Sequence, residues 1–424
     1  MTRRVAITGI GAVRSICKGV EPFWDSICNL ELDTRPIPET YKQNHKWKSL
    51  FHVPAPIPDI ERYEFHPLFV KAMDKTSLLT VDAAGLALED GGFNFKREGH
   101  TFSVEGIESG AVYIGVGVNN LHAAVVAQNT NMFGHDKKLL EDYGFPTKYP
   151  TMSAVNVMAN APAAWTSILF GIKGENFCLN SACSSGTYAI GEAFRKIKDG
   201  YYDAAVAGGA ECLEVPYGAT MRSFDVLSAL TKSPVGNPEP FSKNRSGFLF
   251  GEGGSAVIIL EELEKAQKRG AKIYAEIVDY CSNSDAYNIV QLKEGSESIK
   301  SMLMVLSNGR KIDYLNSHGT GTELNDRIES EIIQQIFGDI EHQPAINSTK
   351  GILGHTVGAS GAFEAAVTAL SIHHQKVHGS LISDPIENLN MVHKTSNLEI
   401  NYAVSTSYGF GGHNAGILFK KFEG

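Results

Sequence analysis

The sequence predicts an α/β fold built from two similar halves. Short apolar runs typical of buried strands alternate with longer helical patterns along the whole chain. Two helices rich in small residues, one beginning near Cys183 and the other near His355, resemble counterparts in this alternation. A charged helix is predicted after Glu261, and we place the boundary between the two halves there. Residues 1–261 form the first half and residues 262–424 form the second.

The predicted strands of the first half are short apolar runs, and several of them end at glycine. These strands are residues 5–10, 111–118, 177–179, 203–209 and 255–261. Helical periodicity predicts helices over residues 70–88 and 184–197, and residues 119–160 are expected to form a long excursion.

The second half repeats this alternation. Its predicted strands are residues 273–280, 313–316, 345–348, 403–406 and 415–420. Its predicted helices are residues 262–269, 326–337 and 358–366. A duplicated α/β unit is the simplest architecture that accounts for both halves.

The composition is that of an ordinary globular protein and argues against several functional classes. The 424 residues carry a net charge of −9, which disfavours nucleic acid as a partner. The six cysteines form no CxxC pair, which argues against a zinc site or a disulfide framework and suits a reducing cytoplasm. The chain shows no signal-peptide pattern and no apolar stretch long enough to span a bilayer. We therefore expect a cytoplasmic protein without metal or membrane segment.

Cys183 lies between the predicted strand 177–179 and the predicted helix 184–197. At the start of a helix, unpaired backbone N–H groups and the helix dipole favour a thiolate over a thiol. Small residues from Ser181 to Gly186 leave room for a substrate to approach. The alternative is a small buried core residue, which is the usual fate of a free cysteine.

Two histidines also follow short apolar strands and are surrounded by glycine and threonine. His318 comes after the strand 313–316, and His355 comes after the strand 345–348. Active sites of α/β proteins assemble at such strand ends. One cysteine with two histidines suits either a thiolate–imidazole nucleophile or a zinc site. Lys350, five residues before His355, argues against the metal because an ammonium group repels a nearby cation.

Four stretches together resemble the motif set of the elongating β-ketoacyl-acyl-carrier-protein synthases. They are SACSSG at 181–186, HGTGT at 318–322, KGILGHTVGA at 350–359 and GFGG at 409–412, and residues 240–248 and 251–253 also match. Each motif is weak alone, but all of them in this order are specific. The resemblance covers nearly the whole chain and implies a thiolase-like fold, with two α/β halves in five layers.

The resemblance also implies a role for each reactive residue. Cys183 corresponds to the nucleophile that takes an acyl chain as a thioester, and its backbone N–H and that of Phe410 correspond to the oxyanion hole. His318 and His355 correspond to neutral imidazoles that hold the malonyl thioester carbonyl and stabilise the enolate left by decarboxylation. Lys350 corresponds to the lysine that organises the His355 side of the site.

Supporting roles follow from the same resemblance. Asp326 and Glu329, one helical turn apart, would support the network of Lys350 and the histidines. Phe410 would gate the passage between the acyl and malonyl pockets. No cofactor is expected, because the substrates would arrive on the phosphopantetheine of an acyl carrier protein.

The implied partners are an acyl carrier protein and a second subunit. Lys71, Lys75 and Arg222 lie where relatives contact an acidic carrier protein, and the alternative is that they are ordinary solvated charges. The second subunit would complete either a homodimer or a heterodimer with a chain-length-factor paralogue that lacks the cysteine.

Several positions depart from the family pattern. Ser181 and His413 stand where threonine is usual, and Tyr408 stands where phenylalanine is usual. The segment 288–292 lacks the usual histidine and Thr-x-Pro. Because these residues line or adjoin the substrate channel in relatives, we expect a type II polyketide or aryl-polyene pathway, with fatty-acid synthesis as the alternative.

Other functions of the same superfamily fit less well. A thiolase would need a second catalytic cysteine near its C-terminus, and no cysteine follows Cys281. An initiating ketosynthase would have asparagine where this chain has His355. A silent chain-length factor would lack Cys183. An acyl-binding protein is the non-enzymatic alternative.

Overall fold

A central mixed sheet of eleven strands runs through the described part of the chain. The computed structural model describes residues 3–43, 45–118 and 121–424. In the first half, strands β1 to β5 are Val5–Arg14, Ala111–Gly115, Asn176–Leu179, Ala204–Cys212 and Gly253–Glu262. They lie in the order β3-β2-β4-β5-β1. β2 is parallel to β3 and β4, whereas β5 is antiparallel to β4 and β1.

The second half has the same topology. Its strands β6 to β10 are Ala275–Ser284, Tyr314–Asn316, Ala345–Asn347, Tyr402–Gly409 and His413–Lys420. They lie in the order β8-β7-β9-β10-β6, with the same pattern of parallel and antiparallel pairs. The halves join where residues 5–7 of β1 pair with residues 275–277 of β6. The predicted duplication of an α/β unit is therefore confirmed.

Helices cover both faces of the sheet and separate its two halves. The helices α1 to α6 are Lys75–Asp90, Ala161–Phe170, Ser185–Lys198, Glu297–Ser307, Glu323–Phe337 and Ser360–His374. α1 and α2 pack on the first half, and α4 and α5 pack on the second half. α3 and α6 lie between the two halves in a third core. The result is the predicted five-layer α–β–α–β–α arrangement.

Successive strand residues face different cores. In β4, Ala205 and Ala207 belong to the central core, whereas Val206 packs against the outer helices. In β10, Ile417 faces the central core and Leu418 faces α4 and α5. Side chains alternate between the two faces of a strand, so a strand covered on both faces needs a continuous apolar run. This explains why the apolar runs in the sequence do not alternate with polar residues.

The two central helices approach each other at glycine. A Cβ atom on Gly186 would lie 2.7 Å from the backbone nitrogen of Ala362. A Cβ atom on Gly361 would lie 2.1 Å from Thr187 Oγ1. Larger residues at these positions would push the helices apart, and with them the turns that precede each helix.

Shorter elements complete the described chain. The remaining helices are Val20–Cys28, Glu39–Lys42, Glu61–Tyr63, Pro67–Ala72, Leu121–Phe133, Lys137–Asp142, Ser153–Val157, Ala182–Ser184, Pro216–Gly218, Ala219–Val226, Leu263–Lys268, Lys350–Leu353 and Val357–Ala359. The remaining strands are Cys17–Lys18, Arg35–Pro36, Phe51–Val53, Phe95–Glu98, Thr101–Val104, Phe250–Gly251, Lys376–Val377 and Ser396–Asn397.

The helix predicted over residues 70–88 is in fact two helices, Pro67–Ala72 and Lys75–Asp90. Asp74 separates them because its carboxylate accepts a hydrogen bond from the backbone N–H of Ser77, at 3.1 Å. Such a side-chain cap satisfies a helix N-terminus and starts a new helix where the apolar periodicity alone continues unbroken.

The strand predicted over residues 177–179 forms, but it is not buried. β3 is the edge strand of the first half, and the side chain of Phe177 is 53% exposed. The excursion predicted over residues 119–160 contains several of the short helices, and its first two residues lie outside the described ones. None of the helices in the described ranges has the length and apolar character needed to cross a membrane.

Candidate active site

Cys183 lies on a 3₁₀ turn, Ala182–Ser184, that joins β3 to α3. The turn Val357–Ala359 occupies the equivalent place before α6 in the second half. Both turns begin with a left-handed residue, at φ 51° for Ala182 and φ 48° for Val357. Left-handed backbone at a residue with a side chain costs about 1 kcal/mol or more. Because both turns contain it at the same position, the two halves share this turn conformation.

Burial keeps the Cys183 sulfur protonated. Burial raises the pKa of this thiol to about 11, although the Lys350 ammonium and a hydrogen bond from the Phe410 backbone N–H both lower it. The thiolate expected from the helix N-terminus is therefore wrong for the free protein, because desolvation outweighs the groups that stabilise the charge. The nucleophile rests as a thiol near neutral pH.

His318 follows β7 and is held through its backbone. The backbone N–H groups of His318 and Gly319 donate to the two carboxylate oxygens of Glu329, at 2.9 and 2.8 Å. The Lys350 Nζ lies 2.8 Å from the carbonyl oxygen of His318 and 3.2 Å from its Nδ1. An ammonium group can only donate, so Nδ1 accepts and the proton of the neutral ring is on Nε2.

His355 is fixed in the same tautomer by different partners. The backbone N–H of Val357 donates to His355 Nδ1 at 3.3 Å, and the Ser360 hydroxyl lies 2.9 Å from the same atom. A backbone N–H can only donate, so His355 Nδ1 accepts from Val357 and the proton of the neutral ring is on Nε2. Both active-site imidazoles therefore present an Nε2–H donor.

Lys350 forms a buried ion pair with Glu364 of α6. The side chains of Lys350 and Glu364 are 2% and 1% exposed. The second oxygen of Glu364 accepts from the Ser407 hydroxyl at 3.2 Å, and that hydroxyl lies 2.7 Å from Thr187 Oγ1 of α3. Sequence reasoning missed Glu364, although a single charged residue in an otherwise uncharged helix was a usable signal.

Both imidazoles are neutral at physiological pH. Burial lowers the pKa of His318 and of His355 well below the ordinary value of 6.5, and the Lys350 charge lowers both further. The two rings lie 5.8 Å apart at 88° to each other. Neutral rings locked as Nε2 donors can stabilise negative charge that develops on a substrate oxygen.

Asp326 and Glu329 support the loops around the site. Asp326 accepts from the backbone N–H groups of Phe241 and Gly321, at 2.7 and 3.1 Å. Burial raises the pKa of Glu329 to about 7. Among the hydrogen bonds of the described residues, neither carboxylate receives one from Lys350, whose partner is Glu364. Their support therefore reaches the site through the His318 and Gly321 backbones.

A cavity of about 360 Å³ joins Cys183 to both histidines. Aromatic rings line part of it, and the Phe248 ring lies 5.0 Å from that of His355. The Phe410 ring lies 6.4 Å from that of Phe224. The structure thus places the predicted nucleophile, both histidines and the predicted gating residue around one space.

Residues that depart from the family pattern line this cavity. Val290, Gln291 and Leu292 form part of its wall. The backbone N–H of Gly411 donates to the carbonyl oxygen of Ile289 at 2.8 Å, so the same segment also supports the turn after Phe410. The segment 289–292 therefore contributes both to the wall of the cavity and to the support of the turn.

The basic residues expected to bind a carrier protein do not line the Cys183 cavity. Lys71 and Arg222 are exposed. Lys75 forms an ion pair with Glu214 at 2.6 Å. Their role in carrier binding stays a prediction.

No group of three His, Cys, Asp or Glu side chains within the described ranges is arranged to hold a metal ion.

Comparison with known families identifies the chain. The family model described as "Beta-ketoacyl synthase, N-terminal domain" matches residues 2–266, and the one described as "Beta-ketoacyl synthase, C-terminal domain" matches residues 274–383. The chain belongs to the β-ketoacyl synthase family. As a member, it is an acyltransferase that forms carbon–carbon bonds.

Curated relatives share the full length of this ketosynthase. A 3-oxoacyl-[acyl-carrier-protein] synthase 2 of Synechocystis sp. is 32% identical over 432 residues, covering 99% of both chains. The protein of the same name in Rhizobium meliloti is 32% identical over 445 residues, covering 100% of both chains.

Solved structures of ketosynthases are also similar. The ishigamide ketosynthase/chain length factor matches with a TM-score of 0.84 at 25% identity, covering 100% of both chains. A type II polyketide synthase complex of a ketosynthase with its acyl-carrier protein, AntDE:AntF, matches with a TM-score of 0.83 at 25% identity and the same coverage. A β-ketoacyl synthase from Burkholderia phymatum matches with a TM-score of 0.82 at 27% identity, covering 99% of this chain and 100% of the other.

The neutral state of the histidines makes a testable prediction. In protein labelled with ¹⁵N-histidine, His318 and His355 should show no protonation shift in NMR spectra between about pH 8 and about pH 6. The double variant Lys350→Met/Glu364→Gln removes a positive charge that lowers both pKa values. In that variant, the pKa values of His318 and His355 should rise toward the ordinary value of 6.5. Protonation of either ring near pH 6.5 in the unaltered protein would contradict the assignment.

The resting state of Cys183 makes another prediction. Alkylation by iodoacetamide should accelerate with each rise in pH and should not level off below about pH 10, because only the thiolate reacts. The rate is measured by mass analysis of the Cys183 peptide. The same peptide in urea-unfolded protein is the control, and its rate should level off near the ordinary pKa of about 8.5. If the alkylation rate of the folded protein levels off near neutral pH, Cys183 rests as a thiolate and the assignment of a resting thiol is wrong.

Proposed function

We propose that this ketosynthase extends an acyl chain held on Cys183 by condensing it with malonyl-acyl-carrier-protein on a type II polyketide or aryl-polyene pathway. The observation that carries the proposal is the meeting of Cys183, His318 and His355 in one cavity, with both imidazoles fixed as neutral Nε2 donors. A cysteine supplies the nucleophile, and the two donors meet the charge that decarboxylation creates.

The first half-reaction loads the acyl chain. The Cys183 sulfur attacks the carbonyl carbon of the carrier thioester, the C–S bond to the carrier breaks, and the proton of Cys183 ends on the released carrier thiol. The Phe410 N–H, which donates to the sulfur in the free protein, then becomes available to the thioester oxygen. Together with the Cys183 N–H it would form the oxyanion hole.

The second half-reaction forms the carbon–carbon bond. The malonyl carboxylate leaves as CO₂, and the electron pair of the broken bond forms an enolate. Its oxygen would accept hydrogen bonds from the Nε2–H groups of His318 and His355. The enolate carbon attacks the thioester on Cys183, the C–S bond breaks, and the β-ketoacyl chain leaves on the carrier. The Cys183 thiolate then regains a proton from solvent.

The residues of the cavity wall that depart from the fatty-acid pattern favour a polyketide pathway. Val290 to Leu292 and Tyr408 line the cavity at positions where the sequence departs from the fatty-acid pattern. Tyr408 is 3% exposed, and its ring lies 5.3 Å from that of His318. Fatty-acid synthesis is the second candidate, and the 32% identity to 3-oxoacyl-[acyl-carrier-protein] synthase 2 enzymes favours it.

The partners proposed are an acyl carrier protein and a second subunit. The AntDE:AntF structure contains a ketosynthase with its acyl-carrier protein, which supports the first. The second subunit would be either another copy of this chain or a chain-length-factor paralogue without the cysteine. Because this chain contains Cys183, His318 and His355, it would be the catalytic subunit of such a pair and not the subunit that lacks the cysteine.

The two half-reactions can be separated by substitution. Cys183→Ala should abolish condensation. His318→Ala and His355→Ala should still load an acyl chain but should release CO₂ from malonyl-carrier protein about 10²–10³ times more slowly, since each loses one donor to the enolate. Radiolabelled CO₂ release and mass analysis of the acylated Cys183 peptide measure the two steps. Unchanged CO₂ release by either histidine variant would refute the assigned roles.

The pathway can be tested by competition. Carrier proteins loaded with a saturated chain, a polyunsaturated chain and a β-keto chain of equal length are mixed with malonyl-carrier protein, and the products are analysed by mass spectrometry. A polyketide or aryl-polyene enzyme should extend the unsaturated or oxygenated chain several times faster. Preference for the saturated chain would assign the enzyme to fatty-acid synthesis instead.

A further inference from the structure

A second pocket, of about 520 Å³, lies where β1 and β6 join the two halves of the sheet. We name it the basic pocket after its charged lining residues, which are Arg3, Arg4, Lys198, Glu276, Arg310, Lys420 and Glu423. Five of these seven side chains are cationic, whereas in the whole chain 47 acidic residues outnumber 38 basic ones. The local charge is thus opposite in sign to the charge of the protein.

The basic pocket is separate from the Cys183 cavity. It lies at the far end of α3, where Phe194 and Lys198 line it, whereas Cys183 lies just before the first residue of that helix. The helix has 14 residues and an α-helix rises 1.5 Å per residue, so about 20 Å separates its two ends. A molecule in the basic pocket therefore does not touch the reacting groups.

Two of the five cations already have partners within the protein. Arg4 donates to both carboxylate oxygens of Glu276, at 2.7 and 2.6 Å. Arg3 donates through Nη1 to Asp203 at 2.8 Å and to the carbonyl oxygen of Tyr202 at 3.3 Å. These contacts fix the arginine that precedes β1 and its neighbour against the floor of the pocket.

The other three cations have no such partner. In the described part of the chain, Lys198, Arg310 and Lys420 have no carboxylate within 4.0 Å. They come from three elements, since Lys198 ends α3, Arg310 follows α4 and Lys420 ends β10, and all three are half-buried. Like charges held in one pocket repel each other, so an anion bound among them is stabilised by all three.

The internal repeat shows how the protein neutralises the equivalent position in the first half. β1 and β6 each contain a bulge, at Thr8 and at Val278. Two residues before the bulge, β1 pairs with Glu261 and β6 pairs with Lys420. Glu261 accepts from Arg269 Nε at 2.9 Å and from the Thr8 hydroxyl. The charge of Glu261 is therefore balanced inside the protein, whereas that of Lys420 is left for a ligand.

We propose that the basic pocket binds a small molecule that carries a pyrophosphate group. A pyrophosphate group has its charge on two phosphates and can therefore contact cations from separate elements. The guanidinium fork of Arg310 matches two phosphate oxygens, and the ammonium groups of Lys198 and Lys420 act as point charges. The pocket volume lies in the range of small-molecule sites, about 300–1,000 Å³. Inorganic pyrophosphate and a nucleoside diphosphate share this chemistry, and the half-buried Tyr402 in the lining offers a ring to the second.

Calorimetry on the unaltered protein tests the ligand class with inorganic pyrophosphate, ADP and orthophosphate. Pyrophosphate should bind at least about tenfold more tightly than orthophosphate, the range of one further hydrogen bond to a charged group. High salt should weaken its binding, since partly exposed charges are screened. Tighter binding of ADP would assign the site to a nucleoside diphosphate, and equal binding would assign it to the pyrophosphate group alone.

Variants assign the binding to the basic pocket. Arg310→Met and Lys420→Met keep an apolar stem and should each weaken pyrophosphate binding about tenfold. Lys420→Glu, which introduces the charge that Glu261 carries in the first half, should abolish binding. Glu423→Gln should strengthen it, because it removes a negative charge from the lining. Lys96→Met, at an exposed lysine of the strand Phe95–Glu98, is the matched control and should bind as the unaltered protein does.

Thermal unfolding gives an independent measurement. Pyrophosphate should raise the melting temperature of the unaltered protein and of Lys96→Met, because a ligand that binds only the folded state stabilises it. It should leave Lys420→Glu unchanged. Equal affinity for orthophosphate and pyrophosphate, or a pyrophosphate affinity that survives Lys420→Glu, would overturn the proposal. Displacement of pyrophosphate by an acyl carrier protein would also overturn it, since the pocket would then be part of a protein-docking surface.

Discussion

The buried ion pair between Lys350 and Glu364 is the interaction on which the site depends. One Lys350 ammonium group holds Glu364, the His318 carbonyl oxygen and the His318 Nδ1 together. Through Ser407, Glu364 reaches Thr187 on the other central helix. Removing one partner of such a pair leaves an uncompensated buried charge, which costs about 3–5 kcal/mol. The pair thus couples the tautomer of a catalytic imidazole to the packing of both halves.

The two halves have equivalent turns, Ala182–Ser184 and Val357–Ala359. These turns differ in their central residue and in the partner of its backbone N–H, and only the first turn carries a nucleophile. Gly358 stands in the second turn where Cys183 stands in the first. The Gly358 N–H donates to the buried carboxylate of Glu211 at 3.0 Å, which also accepts from Gly117 at 2.7 Å. Within the described chain no carboxylate occupies the equivalent N–H of Cys183. The Glu211 side chain therefore occupies the N–H of the second turn, whereas the N–H of the first turn remains available to a reacting oxygen.

Sequence patterns predicted the architecture because both halves repeat one order of strands and helices, and they predicted His318 and His355 because each follows a strand end. The charge state of Cys183 could not be read in this way. A helix N-terminus is visible in the sequence, but desolvation depends on which residues close over the sulfur. Long-range partners were missed for the same reason, since Glu364 meets Lys350 only after α6 packs between the halves.

Burial acts on the nucleophile and on the histidines in opposite directions, and the result is a site with little net charge at rest. It raises the pKa of Cys183 and lowers the pKa of His318 and His355, so the thiol and both rings are neutral. The charges of Lys350 and Glu364 offset each other. Charge appears only when a thiolate or an enolate forms, and fixed N–H donors in a buried site of low dielectric constant stabilise that charge most strongly. The burial that makes Cys183 a poor thiolate in the free protein therefore strengthens the donors that stabilise the intermediates.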